Sequence, residues 1–333
     1  MHEPRLKKSE KSELWNRILA KREATSQKTK KIWWSTIAAA VVILLIGSWM
    51  LHERTDYREH FFSNLNLNEL KNISLFMNDD CIELEDQATI TCIPNEKTLE
   101  IRQGNALSRI KYNQEKGSII LAVPARKKTK IMLADGSIIT MNSCSKMLVP
   151  LDNNKSERNV IFEGEAYMKI HHDEQRPFFA KTNVMTVKVL GTEFLLSAYS
   201  NQNIQSVTLI KGCVEVIPDQ GVLVRMAPNQ TYSYNINRKI AKVKAESNIE
   251  QLTSWKDNLL LLRDEQLTTL LQQIERLYGI QFSYDKQQIS DIRLNGKLDT
   301  SVEVEQVLGY IMKVAPVRIE KRKNVYHIYK NLK

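Results

Sequence analysis

The chain has 333 residues and 48 Lys and Arg against 38 Asp and Glu, a formal net charge of +10. That length suffices for two domains with cores of their own, and no low-complexity stretch argues for disorder. The four cysteines form no C-x-x-C, which weighs against a zinc or thioredoxin-like motif. The charge is concentrated in residues 1–31, with ten Lys/Arg against four Asp/Glu, so the rest of the chain lacks the basic footprint of a nucleic-acid binder.

Residues 9–23 are dominated by Glu, Lys, Leu, Arg and Ala and predict a helix. Leu14, Trp15, Ile18 and Leu19 fall at i, i+1, i+4 and i+5, one narrow apolar stripe on an otherwise charged surface. So short a segment has nothing of its own to cover the stripe. It is expected to bury against a protein groove or a membrane surface.

Residues 32–51 carry no charge and no proline, and a helix of that length spans about 30 Å, the thickness of a bilayer's hydrocarbon core. Trp33 and Trp34 stand at one end and Trp49 at the other, where indole rings prefer the water interface. The stretch is expected to be an uncleaved single-pass membrane helix, since a signal peptide has a shorter apolar core of about 7–15 residues. Lys28, Lys30 and Lys31 flank one side, which keeps the N-terminus cytoplasmic and exports everything after Leu51. All four cysteines lie on the exported side, where disulfides are permitted. Cys81 and Cys92 are spaced to meet across a hairpin, and isolated core thiols are expected for Cys144 and Cys213.

Residues 52–72 read as a helical or irregular stalk. Period two then takes over, with strand signals at 73–77, 81–84, 89–93, 98–101 and 118–123. Asp135-Gly136, between two apolar β-branched runs, supplies the positive φ of a tight hairpin. Further strands are expected at 159–162, 166–170, 178–181, 185–190, 194–199, 206–209, 214–217, 222–226 and 231–234. Short strands at this spacing predict an all-β sandwich or stacked-sheet domain over residues 73–243.

From residue 247 the pattern alternates: a strand at 259–262, then a helix at 266–278 capped by Asp264 and ended by Gly279. Leu267, Leu270, Leu271, Ile274 and Leu277 share one face of that helix. Strands at 280–284 and 292–297 precede a second helix at 302–313 capped by Thr300, and residues 317–320 and 325–329 form a closing hairpin. The order βαββαββ predicts a small α+β domain over 247–333, with two helices on one face of a sheet.

No G-x-S-x-G, H-E-x-x-H or Gly-rich phosphate loop is present. His171, His172 and Asp173 are adjacent, so on a strand they would face alternate sides, and a solvated loop is the expectation. Glu163-Gly164-Glu165 sets two carboxylates about a glycine, a pattern that more often marks a bulge than an active site. The chain is therefore expected to be no enzyme and to hold no metal and no cofactor.

Leu133-Ala-Asp135-Gly136-Ser137, Met141-Asn142-Ser143, Arg158-Asn-Val160, Gly164-Glu165-Ala166-Tyr167, Arg176-Pro177-Phe178, Val189-Leu190-Gly191-Thr192-Glu193-Phe194 and Gly212-Cys-Val214-Glu-Val216 occur in order. Together they resemble the FecR-like anti-sigma factor family in the form found in Bacteroidetes. Leu14-Trp15-Asn-Arg-Ile18 resembles the cytoplasmic segment of such regulators, and residues 255–329 resemble their C-terminal domain. Ala125 stands where the family usually has Gly, and Met168 where it has Phe.

The resemblance implies an inner-membrane relay with a cytoplasmic N-terminus and a periplasmic C-terminus. The head, through Leu14, Trp15, Ile18 and Leu19, would bind an extracytoplasmic-function (ECF) sigma factor. The periplasmic part would receive a signal from the signalling domain of a TonB-dependent outer-membrane transporter. The C-terminal domain resembles those small signalling domains, so docking through a strand edge is implied, with Val317, Ile319, Val325, Tyr326 and Ile328 at the candidate edge. A single helix has no packed neighbour with which to switch, which regulated proteolysis would solve by releasing the head. Some members of the family are cut at the bond corresponding to Gly191-Thr192, by attack of the Thr192 hydroxyl on the Gly191 carbonyl; the alternative is an uncut bulge glycine in a strand. The alternative from another class is a membrane-tethered periplasmic sandwich that binds polysaccharide or protein.

Overall fold

The computed structural model describes residues 59–331 apart from 61, 78–79, 94–95, 113–116 and 152–155. The expected head, the expected membrane span at 32–51 and the first part of the stalk, residues 52–58, lie outside the described residues. Among the described residues, no helix is long and apolar enough to cross a membrane. Residues 65–333 form one compact unit.

The first half of that unit is a run of strands: β1 (Ile73–Met77), β2 (Asp80–Leu84), β3 (Thr89–Ile93), β4 (Thr98–Gln103), β5 (Ala106–Lys111), β6 (Ser118–Val123), β7 (Thr129–Met132), β8 (Ile138–Met141) and β9 (Ser145–Pro150). It continues with β10 (Arg158–Lys169), β11 (Phe178–Lys181), β12 (Met185–Val189), β13 (Glu193–Ala198), β14 (Ile204–Lys211), β15 (Val214–Pro218), β16 (Val224–Met226), β17 (Gln230–Asn235) and β18 (Ile240–Ala245). They form two sheets. One runs β2-β1-β6-β9-β10-β11-β12-β15-β16. The other runs β5-β4-β3-β7-β8-β10-β13-β14-β17-β18.

Strand β10 belongs to both sheets. Its first half pairs with β9 and β11, and its second half with β8 and β13. The change of sheet falls at Gly164, with φ +112, where an added Cβ would stand 2.3 Å from Ser145 Oγ and 2.5 Å from Ser145 Cα. Glycine is required there twice over, by the dihedral and by the close approach of another backbone. Along β10, Val160, Phe162, Ala166 and Met168 alternate inward and join a core with Ile73, Leu121, Ile139, Phe178, Phe194 and Tyr232 from both sheets. Each fully buried side chain of this size contributes about 1.5–3 kcal/mol of transfer free energy.

The second half carries α1 (Ile249–Thr253), β19 (Leu259–Gln266), α2 (Leu267–Tyr278), β20 (Gln281–Tyr284), α3 (Lys286–Ile289), β21 (Arg293–Asp299), α4 (Val304–Val314), β22 (Val317–Arg322) and β23 (Val325–Lys330). The single expected sheet is instead two: an antiparallel pair β19-β21, and a three-stranded sheet ordered β20-β23-β22. Helices α2 and α4 and both sheets share one core, including Leu270, Ile274, Leu294, Val307, Ile311 and Ile328.

The helix starts also differ from the sequence reading. Asp264 does not cap α2. It sits at a bulge of β19 with φ +55, and Gln266 occupies the N-cap. Strand pairing with β21 continues to Gln266, so cross-strand hydrogen bonds outweigh the local capping preference of Asp. Helix α4 likewise begins after Glu303, not at Thr300. Gly279, with φ +63, does terminate α2.

The disulfide that the spacing of Cys81 and Cys92 would allow is not formed; all four cysteines are free thiols. Cys81 lies on β2 of one sheet, opposite Phe76, whereas Cys92 lies on β3 of the other, opposite Leu99. The two strands are successive in sequence but do not form a hairpin with each other. Burial pushes the Cys92 thiol up to about 12.

Candidate functional site

The Gly191-Thr192 bond lies in the link between β12 and β13, not inside a strand. A Cβ on Gly191 would stand 2.5 Å from His172 Cα, so the link has room for glycine only. Thr192 is buried and its Oγ1 donates a hydrogen bond to the Cys213 carbonyl at 2.8 Å. Gly212, with φ +98, faces the bond from the β14–β15 turn, and a Cβ there would be 3.0 Å from both the Gly191 oxygen and Thr192 Oγ1. The Ile170 amide donates to the Thr192 carbonyl at 2.9 Å, and the Asp173 amide to the Leu190 carbonyl at 2.8 Å.

One arginine ties this link to its surroundings. At the start of β10, Arg158 donates from Nε to the Arg176 carbonyl (2.8 Å), from Nη1 to the His171 carbonyl (2.9 Å) and from Nη2 to the Leu190 carbonyl (3.2 Å). Its Nη1 also meets Asp135 Oδ2 at 2.5 Å, and both side chains are only 9% exposed. Asp135 accepts from the amide and hydroxyl of Ser137 in turn, and the Ser137 hydroxyl accepts the His171 amide. Asp173 takes the Arg176 side chain at 2.8 Å, and that bond holds its carboxyl below the usual range.

Four motifs far apart in sequence therefore converge: Asp135-Gly136-Ser137, Arg158, Arg176-Pro177-Phe178 and Leu190-Gly191-Thr192. Chemically, the Thr192 hydroxyl is oriented by a carbonyl acceptor, and its lone pairs remain for its neighbours. The φ of Gly191 is outside the left-handed region; the constraint on the bond is packing. The role of Arg158 as the hub was not legible in the sequence, because three of its four acceptors are backbone carbonyls, which leave no residue-type signature. His172 is a surface side chain facing Glu174 at 3.4 Å. Among the described residues, no cluster of three or more His, Cys, Asp or Glu is arranged to hold a metal.

The candidate docking edge divides. Strand β22 pairs on one side only, with β23, and leaves its other edge open within its sheet. Strand β23 lies between β20 and β22, so Val325, Tyr326 and Ile328 belong to a central strand whose backbone is paired on both sides. This corrects the sequence reading, which took either strand of the closing hairpin as the edge. The error arose because β20, some forty residues earlier, pairs in parallel with β23. Val317, Tyr326 and Ile328 are buried in the core, and Ile319 is partly buried. The opposite face of β22 carries Arg318, Glu320 and Arg322; both arginines pair with Glu320 and lie over the Tyr329 ring at 5.4 and 5.7 Å. Leu14, Trp15, Ile18 and Leu19 lie outside the described residues.

The chain is thus a β sandwich that gathers its motif residues behind one interstrand link, followed by a small helix-and-sheet domain with an open strand edge. The chain belongs to the FecR-like anti-sigma factor family. The family model for the FecR protein matches residues 119–215, and that for the FecR C-terminal region matches residues 259–328. The first match covers β6 to the start of β15, so β1–β5 and β16–β18 extend the same two sheets beyond it. Two crystal structures of a candidate anti-sigma factor from Parabacteroides distasonis are similar, each 26% identical with a TM-score of 0.58. They cover 64% and 63% of this chain and 99% and 98% of their own. No curated protein matches the chain.

Proposed function

We propose that this chain is a single-pass inner-membrane regulator that binds an ECF sigma factor with its cytoplasmic head and receives a periplasmic signal from a TonB-dependent outer-membrane transporter. The observation that carries the proposal is the order of parts: a charged head with an apolar stripe, a twenty-residue apolar stretch, and then the two FecR domains. Leu14, Trp15, Ile18 and Leu19 form the sigma-facing stripe. The signalling domain of the transporter adds a strand to the open edge of β22, where backbone hydrogen bonds give affinity and the Arg318 and Arg322 face gives selectivity.

The test is co-purification of the sigma factor with the full chain, comparing wild type with Trp15→Ala/Ile18→Ala. Loss of two buried apolar anchors is expected to weaken binding by on the order of 100-fold. Equal recovery with both chains would remove the stripe from the interface.

A single helix has no packed neighbour in the bilayer with which to change state, so release of the head by a regulated intramembrane protease completes the relay. Scission at Gly191-Thr192 is the second part of the proposal. The Thr192 oxygen attacks the Gly191 carbonyl carbon, the C–N bond breaks as the amine takes a proton, and water opens the resulting ester. Two periplasmic fragments are expected on a gel, abolished by Thr192→Ala; one intact species in native envelopes refutes it.

A further inference from the structure

The two halves of residues 65–333 meet along a seam of unusual composition. The apolar contact across it is narrow: Leu195 of β13 and Tyr167 of β10 join the core of the α+β domain. Among the described residues, three cations supply most of the polar contacts across it. Lys128 Nζ, from the loop after β6, donates to the Trp255 carbonyl at 2.8 Å and to Asn258 Oδ1. Lys256 Nζ sits 3.4 Å above the centre of the Tyr167 ring, and the Arg276 guanidinium lies 4.3 Å from the centre of the Tyr199 ring. The last turn of α2 rests on the loop after β6: the Arg126 amide reaches the Arg276 carbonyl at 3.4 Å, and a Cβ on Gly279 would be 3.1 Å from Ala125 Cβ.

The closed seam also holds polar groups away from water, with Glu165 bonded by Asn142 and Glu265 by Gln251. A small cavity runs between Asn142 and Glu165 of the sandwich and Gln251, Trp255, Glu265 and Arg276 of the α+β domain. The buried indole Nε1 of Trp255 has no hydrogen-bond partner. Loss of water raises the carboxyl groups of Glu165 and Glu265 and lowers the amines of Lys128 and Lys256. Each of these groups regains hydration if the seam parts, which offsets the cation–π and carbonyl contacts that are lost. Apart from Leu195 and Tyr167, which parting would expose, the two cores on either side are separate, so the rest of each interior stays in place.

We propose that this seam is a two-state latch, held shut by Lys128, Lys256 and Arg276, and that a partner docked on the α+β domain opens it. The inference rests on the reading of the chain as a sigma regulator and names its switching element. A ligand that binds the open arrangement better shifts the population toward it.

The test uses the full chain in detergent and in cells. Lys128→Met/Lys256→Met keeps side-chain length and removes both ammonium contacts. It is expected to speed amide exchange roughly tenfold or more at residues 125–128 and 249–258, with β10 and α2 core amides unchanged. It is also expected to shift a sigma-dependent reporter to its signalled level without a signal. Adding Ala125→Cys/Gly279→Cys, whose Cβ positions at 3.1 Å need only a small shift outward to reach disulfide spacing at some cost from φ +63, is expected to reverse both effects, and reductant to restore them.

Faster exchange with an unmoved reporter overturns the latch as a switch, as does a reporter that ignores the disulfide. Unchanged seam exchange overturns the account of what holds it. Deleting the whole chain separates the two readings: if the reporter does not respond to deletion, the sigma-regulator reading fails, while the exchange data still decide whether the seam opens.

Discussion

Replacing Arg158 by Met isolates the hub that holds the Gly191-Thr192 link. The substitution keeps the stem and removes four polar contacts: the Asp135 carboxylate and the carbonyls of His171, Arg176 and Leu190. Breaking a buried ion pair from one side typically costs about 3–5 kcal/mol, because the partner charge is left without compensation. Asp135 retains the amide and hydroxyl of Ser137, and the Leu190 carbonyl retains the Asp173 amide. The lower end, about 3 kcal/mol, is therefore expected. For a domain of this size that corresponds to a fall of roughly 6–12 °C in the unfolding midpoint. A double-mutant cycle with Asp135→Asn, read by thermal unfolding of the full chain in detergent, should give a coupling of about 1.5–3 kcal/mol. A loss below about 1 kcal/mol, or additive single effects, would refute the hub.

Gly164→Ala is expected to destabilise the sandwich by about 2–5 kcal/mol, since strain at φ +112 adds to the clash with Ser145. Ser145→Gly should rescue little of it in the same unfolding assay, because Ser145 Cα itself stands 2.5 Å from the new methyl group. Thiol labelling followed by peptide mapping should modify the exposed Cys81 and Cys213 in the native chain, and Cys92 only after unfolding. Recovery of a Cys81–Cys92 disulfide from the native chain would contradict the placement of these residues on separate sheets.

Much of the sandwich was legible because its signal is local. Alternation along residues 159–162, 166–170, 185–190 and 194–199 marks strands directly, although the first two are one strand, β10, and Asp135-Gly136 marks its hairpin, with φ +84 at Gly136. What period two does not encode is which strand pairs with which. The parallel β3-β7 and β10-β11 pairs, and the passage of β10 from one sheet to the other, join residues whose partners are set by the whole topology. The same limit explains the split α+β domain. Residues 280–284 read equally well as the neighbour of any later strand, and only the parallel pairing with β23 removes that strand from the edge.

The site shows the sharper contrast. Asp135, Arg158, Arg176 and Gly191 were each visible as motif positions, but a motif in one dimension does not say that its members touch. They touch because the ends of β10, β11 and β12 meet around one guanidinium, and that guanidinium is satisfied largely by carbonyl oxygens that every residue possesses. The departure at Ala125 has an equally spatial consequence. The turn forms with its positive φ at Arg126 (φ +70), and the Ala125 methyl is left as the surface on which Gly279 rests. A larger residue at 125 would have to displace the last turn of α2, so Ala125→Leu should loosen the seam while leaving both cores intact. Seam-specific acceleration of amide exchange, without a change in the exchange of Phe162 or Leu270, is the outcome that argument requires.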